Sequence, residues 1–254
     1  MGELSGKVAI VTGASTPLGI GRAIARRFAR AGASLFLVAD ATVEQLGEIA
    51  SECRDLSVES HVETALVDLG VPGTAEGMVE QAHRALGRVD ILVNNAAVRT
   101  FLEFGTYTRQ QFDRSIAVNL AAPFFASQAV LPIMRRQGGG RIIHIASQLG
   151  HVTFDQRALY GATKAALIHL TKSMAYELGK DNIVVNAISP GPIATQQMLA
   201  RDPSVLQKRI DQYLPMGRMG TPDEIADVAL YLAAACPPFL QGQDILIDGG
   251  YTIH

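Results

Sequence analysis

An α/β fold built on a parallel sheet, with helices on both faces, is what this 254-residue sequence predicts, and three patterns predict it. Short β-branched runs recur along the chain, separated by helical segments of ten or more residues, the spacing of right-handed βαβ crossovers. A glycine-containing turn joins the first run to the first helical segment. Polar residues close several of the runs, and in a parallel sheet the carboxyl ends of the strands share one crevice.

Residues 7–12 (KVAIVT) read as the first strand, 13–21 as the turn, and 22–31, apolar at helical spacing, as a helix. Residues 34–39 (SLFLVA) make a second strand that ends at Asp40. Glycines let such a turn approach a pyrophosphate, and the helix N-terminus beyond it offers unpaired N–H groups. An acid about 20 positions on can accept hydrogen bonds from an adenosine ribose. A third strand, 62–67, ends at Asp68. Residues 72–86 are expected to be helical with Pro72 in the first turn, and a fourth strand, 89–93, runs into Asn94, Asn95, Ala96 and Ala97.

A long helical segment, 108–136, is interrupted at Asn119 and Pro123, where a local kink is expected. Residues 141–147 (RIIHIAS) form a fifth strand that closes on Ser147. Tyr160 and Lys164 follow on a helical segment four residues apart, so both project from one face about one turn apart. A phenol beside an ammonium is drawn toward the phenolate, the form that takes a proton. The sixth strand, 183–188, leads into a loop fixed by Pro190, Gly191 and Pro192. Residues 196–219 are amphipathic but broken by Pro203 and Pro215, as suits a mobile cover. Thr221 and Pro222 start another helix, and residues 244–248 (DILID) give the seventh strand.

Hydrophobic residues make up 48% of the chain and charged ones 18%, enough apolar material for one large core, and no linker or repeat divides the chain. A net charge of −2 gives no basic field for nucleic acid or an anionic membrane, so small-molecule partners are expected. The start of the chain has no apolar signal core, and no 18 uninterrupted apolar residues occur anywhere, which makes a cytoplasmic location the default expectation. Cys53 and Cys236 lack the spacing of a metal site and are read as unpaired thiols.

Taken together, TG…GIG at residues 12–21, Asp68-Leu69, Asn94 to Ala97, Asn119, Ser147, Tyr160-x-x-x-Lys164, PGPIAT at 190–195 and QGQDILIDGG at 241–250 resemble the short-chain dehydrogenase/reductase family. The resemblance covers essentially the whole chain. It implies a single Rossmann-type, doubly wound domain over residues 1–254 with strand order 3-2-1-4-5-6-7. It implies Tyr160 as general acid/base, Lys164 lowering its pKa and binding the nicotinamide ribose, Ser147 polarising the substrate oxygen and Asn119 holding a relay water. Cofactor contacts are implied for Gly13, Ser15, Thr16, Leu18, Gly19, Ile20, Asp40, Asp68, Leu69, Asn95, Ala96, Pro190, Gly191, Ile193 and Thr195, besides Tyr160 and Lys164. A homotetramer is implied through helices matched to 112–136 and 158–179.

Two departures from the family pattern stand out. Five residues, Ala14 to Leu18, separate the first two glycines of the turn where most members have three, and Ala97 replaces a glycine. Asp40, with no arginine at 41–43, repels the 2′-phosphate of NADP and favours NAD. Arg22 reads as a solvated helix residue. Substrate contacts are expected from Arg99, Gln148, His151, Gln156, Arg157, Gln196 and Gln197, beside Phe101, Phe154 and Met198. Their polarity, and a YTIH ending like that of some polyol dehydrogenases of the family, point to a sugar, polyol or sugar acid. A 3-ketoacyl-type reductase and a non-catalytic NAD-binding sensor remain alternatives.

Overall fold

A computed structural model describes residues 2–57 and 60–253; His254, the last residue of the YTIH ending, lies outside them. Seven strands form one parallel sheet in the order β3-β2-β1-β4-β5-β6-β7: β1 Val8–Thr12, β2 Ser34–Ala39, β3 Val62–Leu66, β4 Ile91–Asn94, β5 Gly140–Ile145, β6 Ile183–Pro190 and β7 Asp244–Ile247. The order reverses between β1 and β4, and this is where such a sheet opens a crevice at its carboxyl edge. Central strands are buried on both faces, which explains their unbroken apolar runs.

Helices cover both faces. On one, α1 (Ile20–Arg30), α2 (Val43–Leu56) and α9 (Pro222–Leu230) pack Ile24, Phe28, Ile49 and Ile225 against Val11, Leu35 and Leu37. On the other, α3 (Thr74–Leu86), α5 (Ala122–Arg136) and α6 (Ala158–Leu178) bring Met78, Val130, Met134 and Leu178 onto Ile10, Leu92 and Val185. Helix α2 carries no glycine or proline signal strong enough to announce it. It is started by a reciprocal cap in which Thr42 and Gln45 satisfy each other's backbone N–H groups. Helix α3 begins later than expected, because Gly73 takes a left-handed conformation (φ 84°) that ends the Pro72 turn before Thr74.

The interruption expected at Asn119 is a π-helical turn, Ala117–Ala121, inserted between α4 (Arg109–Ile116) and α5 without breaking the helix. The stretch Arg109–Arg136 is long and apolar enough by length and composition to cross a membrane, and its buried side chains pack into this core. After β6 come α7 (Gln196–Leu199) and α8 (Pro203–Tyr213), separated from α9 by a loop.

At the amino edge, Asp90 joins β1 to β4. Its carboxylate accepts hydrogen bonds from Val8 N (2.9 Å), Lys7 Nζ (3.3 Å) and both arms of Arg88 (2.7 Å each). Burial opposes its ionisation, but these donors outweigh that and hold its pKa below the usual carboxylate value. Asp90→Ala should cost about 1.5–3 kcal/mol of stability in urea unfolding at neutral pH. Because the folded-state pKa is depressed, the contribution is complete above the unfolded value of about 4 and is lost as pH falls through the folded value. An equal deficit at pH 7 and well below pH 4 would show that the carboxylate's charge is irrelevant.

Candidate active site

The carboxyl ends of the strands enclose a cleft of about 600 Å³. Its floor is tied together at the switch point between β1 and β4. Thr12 Oγ1 accepts from Asn95 N (2.9 Å) and Ala96 N (3.0 Å) and donates to Val93 O, while Asn95 Nδ2 donates to Thr12 O (2.8 Å) and Gly13 O (3.1 Å). The glycine turn depends on this packing. A Cβ on Gly21 would fall on Gly13 O and Asn95 Nδ2, and one on Gly13, at φ 67°, would crowd Asn95 and Ala96.

One arm of the cleft lies over β1, β2 and β3 and is lined by Gly13, Ser15, Thr16, Gly19, Ile20, Asp40, Asp68 and Leu69. The lengthened turn places Leu18 differently: at φ 51° it is exposed and does not line the cleft. Arg22 is not solvated either, because Glu52 and Glu48 of α2 hold its guanidinium. Sequence reasoning missed Arg114. From α4 it reaches Asp68 (2.5 Å) and Asp40 (3.3 Å) and lines the same arm. The Gly70 N–H first, and Arg114 besides, keep the Asp68 carboxyl below its ordinary pKa against the effect of burial. A side chain at Gly70 would collide with Arg114. No spacing in the sequence could have found this arginine, which stands 74 residues from Asp40.

The other arm lies over β5 and β6. Ser147, Tyr160 and Lys164 line it, each nearly buried. Lys164 Nζ donates to Ile145 O (2.7 Å) and stands 5.6 Å from the centre of the Tyr160 ring. Burial, then repulsion from Arg99, lowers the Lys164 pKa to about 7. Burial raises the Tyr160 pKa, and Arg99 and Ser147 oppose it. Arg99, expected only among the substrate contacts, thus joins Lys164 as a second cation near the phenol.

Asn119 does not line the cleft. Its amide accepts from Val98 N (2.8 Å) and donates to Val98 O (3.0 Å) and to Thr163 Oγ1 (3.1 Å), and Thr163 in turn donates to Tyr160 O (2.8 Å). These bonds fix the strand-four loop against the tyrosine helix. His151 is likewise drawn away from the cleft: Nε2 lies 2.5 Å from Asp244 Oδ2, a carboxylate that Ser189 also binds. Gln156 and Gln196 lie outside the lining, whereas Arg99, Phe101, Gln148, Phe154, Arg157, Gln197 and Met198 are within it. The cover adds Arg201, Arg209 and Tyr213, which the sequence reading did not single out.

The cleft residues fit a dinucleotide. Ser15 and the first turn of α1 stand beyond the close-packed glycines, as a pyrophosphate requires. At the far arm Thr195 Oγ1 and Gln148 Oε1 are buried without a hydrogen-bond partner, and such groups are costly unless a ligand satisfies them.

Comparison with known proteins gives the same frame. A family model described as enoyl-(acyl carrier protein) reductase matches residues 13–252. The chain is 35% identical to a 3alpha-hydroxysteroid dehydrogenase of Mediterraneibacter gnavus, covering 97% of both chains. It is 34% identical to a D-threitol dehydrogenase of Mycolicibacterium smegmatis, over 99% of this chain and 95% of that one. The crystal structure of an L-sorbose reductase from Gluconobacter frateurii, complexed with NADPH and L-sorbose, superposes at a TM-score of 0.93 with 33% identity over the whole of both chains. With its strand order, its glycine turn and these relatives across nearly its full length, the chain belongs to the short-chain dehydrogenase/reductase family.

Proposed function

We propose that the protein is an NAD-dependent oxidoreductase that moves a hydride between the carbinol carbon of a polar secondary alcohol, such as a sugar, polyol or sugar acid, and nicotinamide. The observation that carries the reading is the buried Tyr160 phenol, set beside Ser147, Lys164 and Arg99 in a cleft whose other arm fits a dinucleotide. Ser147 holds the alcohol oxygen and Tyr160 takes its proton, with Arg99 favouring the phenolate against burial. Bound nicotinamide supplies the hydride acceptor. Lys164 and Tyr160 hold its ribose, Ile193 and Thr195 its carboxamide, and Asn95 and Ala96 the adenosine side. Residues 196–219 close over the substrate, since α7 and α8 carry part of the cleft wall.

Tyr160→Phe should lower kcat for alcohol oxidation by about 10²–10⁴-fold and leave NADH affinity, read by fluorescence titration, nearly unchanged. A loss of only a few-fold would remove Tyr160 from the proton-accepting role.

NAD is the preferred cofactor on this reading, supported by Asp40, which follows β2 in the arm that fits the dinucleotide and is 68% exposed at the side chain. The ratio of kcat/KM for NAD over NADP should exceed about a hundredfold, equivalent to roughly 2.7 kcal/mol, and Asp40→Ala should narrow it. Arg114, 3.3 Å from Asp40, favours a second outcome. Equal use of NADP by the wild type would mean that this arginine receives the 2′-phosphate in place of the carboxylate's rejection of it.

The protein works in the cytosol, where the buried free thiols Cys53 and Cys236 stay reduced. It assembles as a homotetramer through residues 112–136 and 158–179. Phe112, Phe124, Phe125 and Tyr176 support this, being large apolar or aromatic side chains left exposed on those helices. Light scattering at micromolar concentration should give four chain masses, and a monomeric mass rejects the assembly.

A further inference from the structure

Besides Arg114 at the nucleotide arm, four arginines, Arg99, Arg157, Arg201 and Arg209, line the cleft. Among the described residues none of them forms an ion pair with a carboxylate. The acids that do line the cleft, Asp40 and Asp68, belong to the arm over β2 and β3 and are already bound by Arg114. The substrate arm therefore carries a positive charge that the protein itself does not neutralise.

That arrangement is costly without a ligand. Arg157 is only 9% exposed, and its Nη1 meets just the carbonyls of Asp155 and Gln156. A guanidinium has five donors. Like charges in a partly desolvated cleft repel, and a buried charge without a counter-ion is unfavourable. Burial first, and then Arg201 and Arg209, pull the Arg157 pKa down; burial, Arg209 and Arg99 do the same at Arg201. An anion would relieve both costs at once.

The arginines are also held in place relative to the chemistry. The Arg157 guanidinium carbon lies 3.7 Å from the centre of the Phe101 ring, and Phe101 packs edge-on against Tyr160 at 5.5 Å. Arg209 lies over Phe154 at 5.0 Å, and Phe154 packs edge-on against Tyr213. Stacking fixes the plane of each fork before a ligand arrives, so less side-chain freedom is lost on binding. Rigid forks suit planar or tetrahedral oxyanions, which they bind in pairs of parallel hydrogen bonds. The pyrophosphate of a dinucleotide does not account for them, because the glycine turn and the N-terminus of α1 stand at the other arm.

We propose that the substrate carries an oxyanion, a carboxylate or a phosphate ester, received by Arg157, Arg201 and Arg209, with Arg99 placed beside the Tyr160 hydroxyl. The inference rests on the proposed function for its reacting alcohol, and it narrows that substrate to an anionic one.

Matched triplets of aldonate, alditol phosphate and neutral alditol, four to six carbons long, test it by calorimetric titration of the protein saturated with NADH, so that binding is read without turnover. At least one anion of a triplet should bind about tenfold or more tighter than its alditol, and the stronger arm identifies carboxylate or phosphate. Arg201→Gln and Arg209→Gln should each weaken that anion by about tenfold and leave the alditol unaffected. Arg157→Gln, being buried and stacked, tests the same point at greater risk to folding. Alditols that bind as well as both anions, or variants that weaken all three alike, overturn the proposal. Oxidation assays on the same triplets separate the two readings. Anions that bind in an enzyme oxidising no alcohol defeat the proposed function but not this inference, whereas oxidation confined to neutral alditols defeats this inference alone.

Discussion

The hydrogen bonds between Thr12 and Asn95 are the constraint on which the site depends. They tie the ends of the neighbouring parallel strands β1 and β4 together, where the strand order of the sheet reverses. From there one connected path runs through the chain from Asn95 to Val98, on to Asn119, and through Thr163 to the carbonyl of Tyr160. The glycine turn and the tyrosine helix, far apart in sequence, are thus held in one frame by short polar contacts, part-buried at Thr12 and Asn95 and buried at Thr163. Such contacts are worth more where water cannot compete, and they are correspondingly damaging to break one at a time.

Charge is distributed along the cleft in two ways that the fold makes independent. At the nucleotide arm, acids at the ends of β2 and β3 are balanced by one arginine from α4. At the substrate arm, arginines from the strand-four loop, the segment before α6 and the cover meet without an acid. Only the first arrangement is self-contained. The Tyr160 phenol stands at the boundary, where burial raises its pKa and Arg99 of the substrate arm opposes that rise.

Much of this was legible in the sequence. Strand ends at Asp40, Asp68, Asn95 and Ser147 converge because period, glycine and parallel topology leave few other arrangements, and the four-residue spacing of Tyr160 and Lys164 survives any small error in helix boundary. What was hidden depends on long-range approach. Arg114 meets two acids because α4 crosses their strand ends, and His151 is lost to the cleft because Asp244 of β7 is near. Arg201 and Arg209 sit in a proline-broken segment whose amphipathic pattern says only that one face is covered. Leu18 was displaced by the extra length of the turn, which the sequence showed but whose path it could not specify. Asn119 looked like a flaw in a helix, since composition does not distinguish a kink from an inserted residue that keeps the helix running.

That inserted residue works as an indexing device. Consecutive residues of an α-helix are rotated by about 100°, so one extra position in the π turn at 117–121 turns everything after it relative to everything before. Arg114 upstream faces the acids of β2 and β3, while Asn119 within the turn faces Val98 and Thr163. The turn in which the phase of the helix changes begins between the two side chains. Deleting one residue there would restore α-helical phase and rotate the segments on either side of the turn relative to each other by about 100°. The segment's length is therefore as much a part of the site as the residues it contains.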